Sequence, residues 1–228
     1  MHQNELKILK EFYNIISESK QLMFDAIAAE RTKHLTVVLE NIHQEHNASA
    51  VMRSCDCFGI QDLHVIEKNN QYKVQRDIAL GAGRWVDLYN FDKGENPSLD
   101  CIKKLKEKGY KIVATTPHTN DVTINELDLS QPIALVFGTE HTGISAEIIA
   151  EADEFVKIPM YGFSESFNIS VSVAITLNVL RNRLEQSELN WKLSPEEQTA
   201  LKIKWSKKIL RAGNELEVAF RVRLFQKD

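Results

Sequence analysis

From Leu35 to about Glu185 short apolar runs alternate with amphipathic segments, and this alternation restricts the fold more than any other feature of the chain. The runs occupy residues 35–40, 63–66, 85–91, 111–115, 133–137 and 155–158. Several are dense in valine and isoleucine without polar alternation, as strands buried on both faces require. The intervening stretches 48–58, 99–108 and 145–151 have helical spacing. Strand then helix, repeated, predicts an α/β domain with a mostly parallel sheet and helices on both faces.

The two ends of the chain have a different pattern. Residues 1 to about 33 read as helix, with Leu6, Leu9, Phe12, Ile16 and Met23 recurring near helical spacing. At the other end, Ser194-Pro195-Glu196-Glu197 is an N-cap, a proline at the first helical position and an acidic first turn. Gly213 interrupts that helix and offers a break between two. The organisation expected is an N-terminal helical extension (1–33), an α/β domain (34–186) and a C-terminal helical extension (187–228).

Composition excludes several classes. Hydrophobic residues are 43% and charged residues 26% of the 228, close to the globular average. No apolar run reaches the ~18–20 residues that span a bilayer, and residues 1–10 hold no secretory apolar core. Cys55, Cys57 and Cys101 lack the paired spacing of a structural zinc site. The expectation is a soluble, cytoplasmic protein that binds neither membrane nor metal. The net charge of −4 is unevenly spread. From Lys202 onward eight bases face three acids, so the tail carries +5 and the remainder −9. Such a tail is either a solvated helix face or a surface for an anionic partner. Lys207, Lys208 and Arg211 fall within about one helical turn of each other and are its candidate phosphate contacts.

Three segments of the α/β stretch carry more than packing explains. The first follows the first strand and opens a helix, at the carboxyl end where open α/β sheets bind ligands. It reads Glu40-Asn41-Ile42-His43-Gln44-Glu45-His46-Asn47-Ala48-Ser49-Ala50-Val51-Met52-Arg53. Asn47 suits an N-cap, and Arg53 lies about 9 Å further along the axis. As structure alone, the one is a cap and the other a surface charge. Gly59 fits the end of the same helix. The second segment is Phe137-Gly138-Thr139-Glu140-His141-Thr142-Gly143. Its glycines permit close ligand approach, yet Ile144-Ser145 stands where a phosphate loop needs lysine, and no dinucleotide fingerprint is present. The third is Ile158-Pro159-Met160-Tyr161-Gly162-Phe163-Ser164-Glu165-Ser166-Phe167-Asn168-Ile169-Ser170. Capping accounts for one of Ser166, Asn168 and Ser170, so binding of a polar ligand is the more economical account of the set.

Taken in order, Asn-x-x-Ala-x-x-Arg, Phe-Gly-x-Glu-x-x-Gly and Ile-Pro-Met-x-Gly-x-x-x-Ser-x-Asn-x-Ser closely resemble the three motifs of the SPOUT class of RNA 2′-O-methyltransferases. The context of residues 35–43 and 54–56 looks like its TrmH branch, the tRNA (guanosine-2′-O)-methyltransferases, and the similarity runs from about Arg31 to Arg183. The resemblance implies S-adenosylmethionine as cofactor, a homodimer, tRNA as partner and a trefoil knot in the C-terminal part of the α/β domain. Carried over by residue, Arg53 corresponds to the catalytic arginine, with Asn47, Glu140, Ser166 and Asn168 as the polar positions around it. The cofactor contacts correspond to Thr115, Gly138, Ile158, Met160, Phe167 and Asn168. This chain departs from the branch at Glu165, often glutamine there, at Phe167, usually leucine, and in the middle of Gly81-Ala82-Gly83-Arg84-Trp85.

Methyl transfer from a sulfonium to a ribose hydroxyl is an in-line displacement that needs orientation and charge stabilisation but no metal. A guanidinium is a poor general base. Arg53 is therefore read first as an electrostatic clamp on the hydroxyl and adjacent phosphate, with a base role left open and Asn47 and Glu140 as positioning groups. Ribosomal RNA as substrate, or a catalytically silent RNA-binding relative, are the other readings.

Overall fold

Burial on both faces suits the central apolar runs to pair side by side, each presenting alternate residues to helices above and below the sheet, while the run at residues 87–91 is only partly buried. A computed structural model describes residues 2–42, 44–67, 81–116, 122–139 and 142–225. Within them are the strands β1 (Leu35–Glu40), β2 (Asp62–Ile66), β3 (Asp87–Phe91), β4 (Lys111–Thr115), β5 (Val122–Thr123), β6 (Ile133–Phe137) and β7 (Glu154–Lys157). They form one seven-stranded sheet in the order β3-β2-β1-β6-β4-β7-β5. Every described pair is parallel. The two-residue β5 was not legible as an apolar run. Trp85, read from the sequence into the third strand, belongs to the 3-10 turn that precedes it.

The described residues also include eight helices. They are α1 (His2–Tyr13), α2 (Glu18–Ala28), α3 (Glu45–Cys57), α4 (Pro97–Glu107), α5 (Ala146–Glu151), α6 (Ile169–Glu185), α7 (Pro195–Ile209) and α8 (Gly213–Phe225). Leu35, Val37 and Leu39 of β1 point to a core shared with Val51, Met52 and Cys55 of α3 and Val173, Leu177 and Leu180 of α6. Val38 points the other way, to Cys101, Ile102 and Leu105 of α4 and Ile148 of α5. Helix α3 ends as its glycine suggests. Gly59 takes φ 72°, and Ile60 N–H donates to the Cys55 carbonyl at 2.8 Å.

The chain forms two compact units, residues 32–191 and the two ends together, 1–31 with 192–228. This differs from the three-part division expected, because the terminal extensions pack on each other. Ile8, Leu9 and Phe12 of α1 share a core with Ile203 of α7 and Phe220 of α8, and the Phe12 and Phe220 rings meet edge-on at 5.1 Å. The N-terminal stretch is also two helices, not one. Ser17 adopts an extended backbone before α2 (φ −64°, ψ 148°). Ser194 caps α7 through a reciprocal pair with Glu197, as its sequence signature requires.

Much of the tail's positive charge is spent inside this unit. Lys202 pairs with Asp25 at 2.7 Å, Arg221 with Glu5 at 2.8 Å, Arg223 with Glu11 and Lys207 with Glu217.

One buried base gives the α/β unit a pH dependence. His64 of β2 stacks on Tyr89 of β3 at 4.8 Å, and burial, then Lys108 and Lys104, bring its pKa down to about 3 from 6.5. The folded state thus holds the ring neutral, while the unfolded chain takes up a proton below its ordinary value. Stability therefore rises with pH between the two values and is lost as pH falls from 6.5 toward 3. Urea midpoints of the full chain should fall progressively across this window, and the variant His64→Gln should have a flatter profile there.

Candidate active site

Parallel strands all direct their carboxyl ends to one edge, so the loops leaving them collect polar and irregular backbone there. At the ends of β4, β6 and β7, adjacent or nearly so in the sheet, lies a pocket of about 310 Å³. Thr115 and Thr116 come from the end of β4 and the residue after it, Phe137, Gly138, Thr139 and Gly143 from β6 and its loop, and Val156, Ile158 and Met160 from β7 and the segment that follows it. Glu165, Ser166 and Phe167 close one side, and Ile169, Ser172 and Thr176 of α6 another.

The β6 loop is folded back on itself. Thr139 and Gly143 exchange two backbone hydrogen bonds, each 3.0 Å, and the Thr139 hydroxyl accepts from Thr142 N–H at 3.0 Å. Gly138 has no room for a side chain, since a Cβ would lie 2.2 Å from both the carbonyl carbon and oxygen of Gly143. Gly143 takes φ 68°, in the left-handed region. At the far end of this loop, Ser145 N–H donates to the buried carboxylate of Glu40 at 2.8 Å. The other Glu40 oxygen accepts from Ser98 of α4 at 2.8 Å.

The first and third motifs meet directly. Asn168 caps α6, accepting from Ser170 N–H at 2.9 Å, and its amide donates to the Asn47 side-chain oxygen at 3.1 Å. Asn47 donates in turn to Gln44 at 3.2 Å. The cap of α3 is Gln44, not Asn47. The helix begins three residues earlier than its apolar pattern suggests, which carries Asn47 inside it, 3% exposed. The side-chain amide is thereby freed to link the two motifs.

Thr115, Gly138, Ile158, Met160 and Phe167 all line the pocket, as does Ser166. Asn168 and Asn47 stand outside its described wall, and so does Arg53, which is exposed on α3. Glu140 lies outside the described residues. Sequence reasoning missed Thr176, whose hydroxyl is buried without a hydrogen-bond partner against the pocket. It sits one turn beyond Ser172, and that spacing on the first turns of α6 was the available signal. Among the described residues no acidic, histidine or cysteine group could hold a metal ion, and no helix is long and apolar enough to cross a membrane.

Residues 34–178 match the SpoU rRNA methylase family. A tRNA (guanosine(18)-2'-O)-methyltransferase of Borreliella burgdorferi is 38% identical over 92% of this chain and 95% of its own length. One from Aquifex aeolicus is 32% identical over 84% of this chain and 90% of its own. Among solved structures, an A. aeolicus TrmH/SpoU tRNA-modifying enzyme superposes with a TM-score of 0.75 at 31% identity, covering 85% of this chain and 98% of that one.

Asn168→Ala removes both the cap of α6 and the link to Asn47. It should lower stability by about 1–2 kcal/mol, read as a reduced denaturant midpoint at unchanged slope.

Proposed function

Because this chain belongs to the SpoU rRNA methylase family, we propose that it transfers a methyl group from S-adenosylmethionine to the ribose 2′-hydroxyl of a guanosine in tRNA. The observation that carries this reading is the pocket at the ends of β4, β6 and β7, within the matched span. Its volume lies at the low end of small-molecule sites, about 300–1,000 Å³. Ile124, Phe137, Val156, Ile158 and Ile169 offer apolar wall to a purine, and the threonine and serine hydroxyls offer partners to its polar groups.

When bound, S-adenosylmethionine supplies a sulfonium-borne methyl group for in-line displacement. The work left to the protein is orientation, worth up to about 7–11 kcal/mol in favourable cases, and stabilisation of charge developing on the ribose oxygen. Arg53 performs the second task. Its planar guanidinium fork holds the hydroxyl and the neighbouring phosphate together. Asn47, fixed by Asn168, positions the first turns of the helix that carries Arg53. Ser166 adds a hydroxyl to the pocket wall, and Glu140 takes a positioning role by its place in the second motif.

Three further features belong to the same reading. The segment after β7 forms a trefoil knot, supported by the order in which β6, β4 and β7 lie side by side and send three separate loops to one pocket. Lys207, Lys208 and Arg211 contact RNA phosphates in the cytoplasm. Lys208 and Arg211 are exposed, and Lys207 is paired with Glu217. The active form is a homodimer. Tyr161 and Phe163 of the third motif are fully exposed, and Phe167 and Val171 partly so, apolar residues that a second copy of the chain covers.

Arg53→Ala should abolish methyl transfer to tRNA by a factor of at least about 100 and leave S-adenosylmethionine affinity within a few-fold. Arg53→Lys should recover little of it, because a point charge cannot replace the fork; a lysine variant at wild-type rate would remove the clamp. Light scattering should give a dimer for the wild type and a folded monomer for the pair Tyr161→Ser and Phe163→Ser. A dimer that survives both changes would place the interface elsewhere.

A further inference from the structure

Among the described residues lining the pocket, Glu165 is the one charged side chain. All the others are threonine, serine, glycine or apolar, so no cation in the described wall offsets it. It is exposed. We infer that Glu165 selects the charge of the ligand, favouring the cationic cofactor over the neutral product. The inference rests on the methyl-transfer reading above and adds to it a determinant of product release.

The chemistry makes such a device useful. S-adenosylmethionine carries a sulfonium, an ammonium and a carboxylate, a net charge of +1. On transfer the ribose oxygen bonds to the methyl carbon as the S–C bond breaks, the sulfur keeps that bond's electron pair and becomes a neutral thioether, and the hydroxyl proton passes to the adjacent phosphate or to water. The product, S-adenosylhomocysteine, then differs by one methyl group and one charge. Shape can register the missing methyl group, and a carboxylate in the wall adds a separate contribution that acts on the charge itself. Its attraction is present before transfer and gone after it. Because the side chain is open to water, the attraction is screened and modest, and it weakens as salt rises.

Calorimetry of the full chain at low salt tests this with three probes. These are S-adenosylmethionine, sinefungin, which carries an ammonium where the methylsulfonium would be, and S-adenosylhomocysteine. In Glu165→Gln both cationic ligands should bind about three- to fivefold more weakly, with the neutral one unchanged. Glu165→Asp should retain the preference for cations, and in the wild type about 0.5 M salt should erode it. If Glu165→Gln leaves all three affinities unchanged, or lowers all three equally, charge selection by this residue is wrong and the methyl-transfer reading stands. If the wild type binds none of the three, that reading falls with it.

Discussion

Strand β6 lies between β1 and β4, paired in parallel to both, and all five of its residues are buried. A strand so enclosed satisfies its backbone only through its neighbours, so the register along it is held from both sides. Where the strand runs out, the chain leaves this support abruptly at Gly138 and must turn within a few residues. The Thr139–Gly143 bridge and the absence of a Cβ at Gly138 are the means by which it turns. The pocket exists because β4 and β7 end at the same level and contribute their own loops to it.

Glu40 extends that order beyond the strands. A carboxylate 4% exposed is costly unless paired or hydrogen-bonded. Here it accepts from Ser98 at the start of α4 and from Ser145 N–H at the start of α5. Helix N-termini favour negative charge, so one buried acid ties the end of β1 to two helices and anchors the far side of the β6 loop. Asn168 and Asn47 play the corresponding part on the other face of the sheet, joining α6 to α3. Rigid placement of this kind matters to methyl transfer, whose barrier is lowered chiefly by alignment.

The terminal helices show how far charge counts can mislead. A tail of +5 invites an anionic partner, yet Lys202, Arg221 and Arg223 face Asp25, Glu5 and Glu11 of the N-terminal helices. The sequence separates these groups by about the whole length of the chain. The apolar meeting of α1 with α7 and α8 brings them together.

Local chemistry alone determined a good deal here. The six apolar runs became strands within one or two residues, and those of the centre, β1, β2 and β6, are buried along their whole length, as β-branched residues without polar alternation suit a doubly covered sheet. The Ser194 capping box and the Gly59 helix end are also local, since each motif closes within a few residues. Tertiary structure decided the rest. The order of strands, which brings β4, β6 and β7 to one pocket, depends on contacts between distant residues that no window of sequence contains. Asn47 could be read as a cap because its partner, Asn168, lies 121 positions away. Thr176 is marked in the sequence only by its spacing from Ser172, and the packing of α6 is what buries its hydroxyl against the pocket. Side-chain chemistry was legible throughout, but which groups face each other follows from long-range packing, and there the physical work of the site is done.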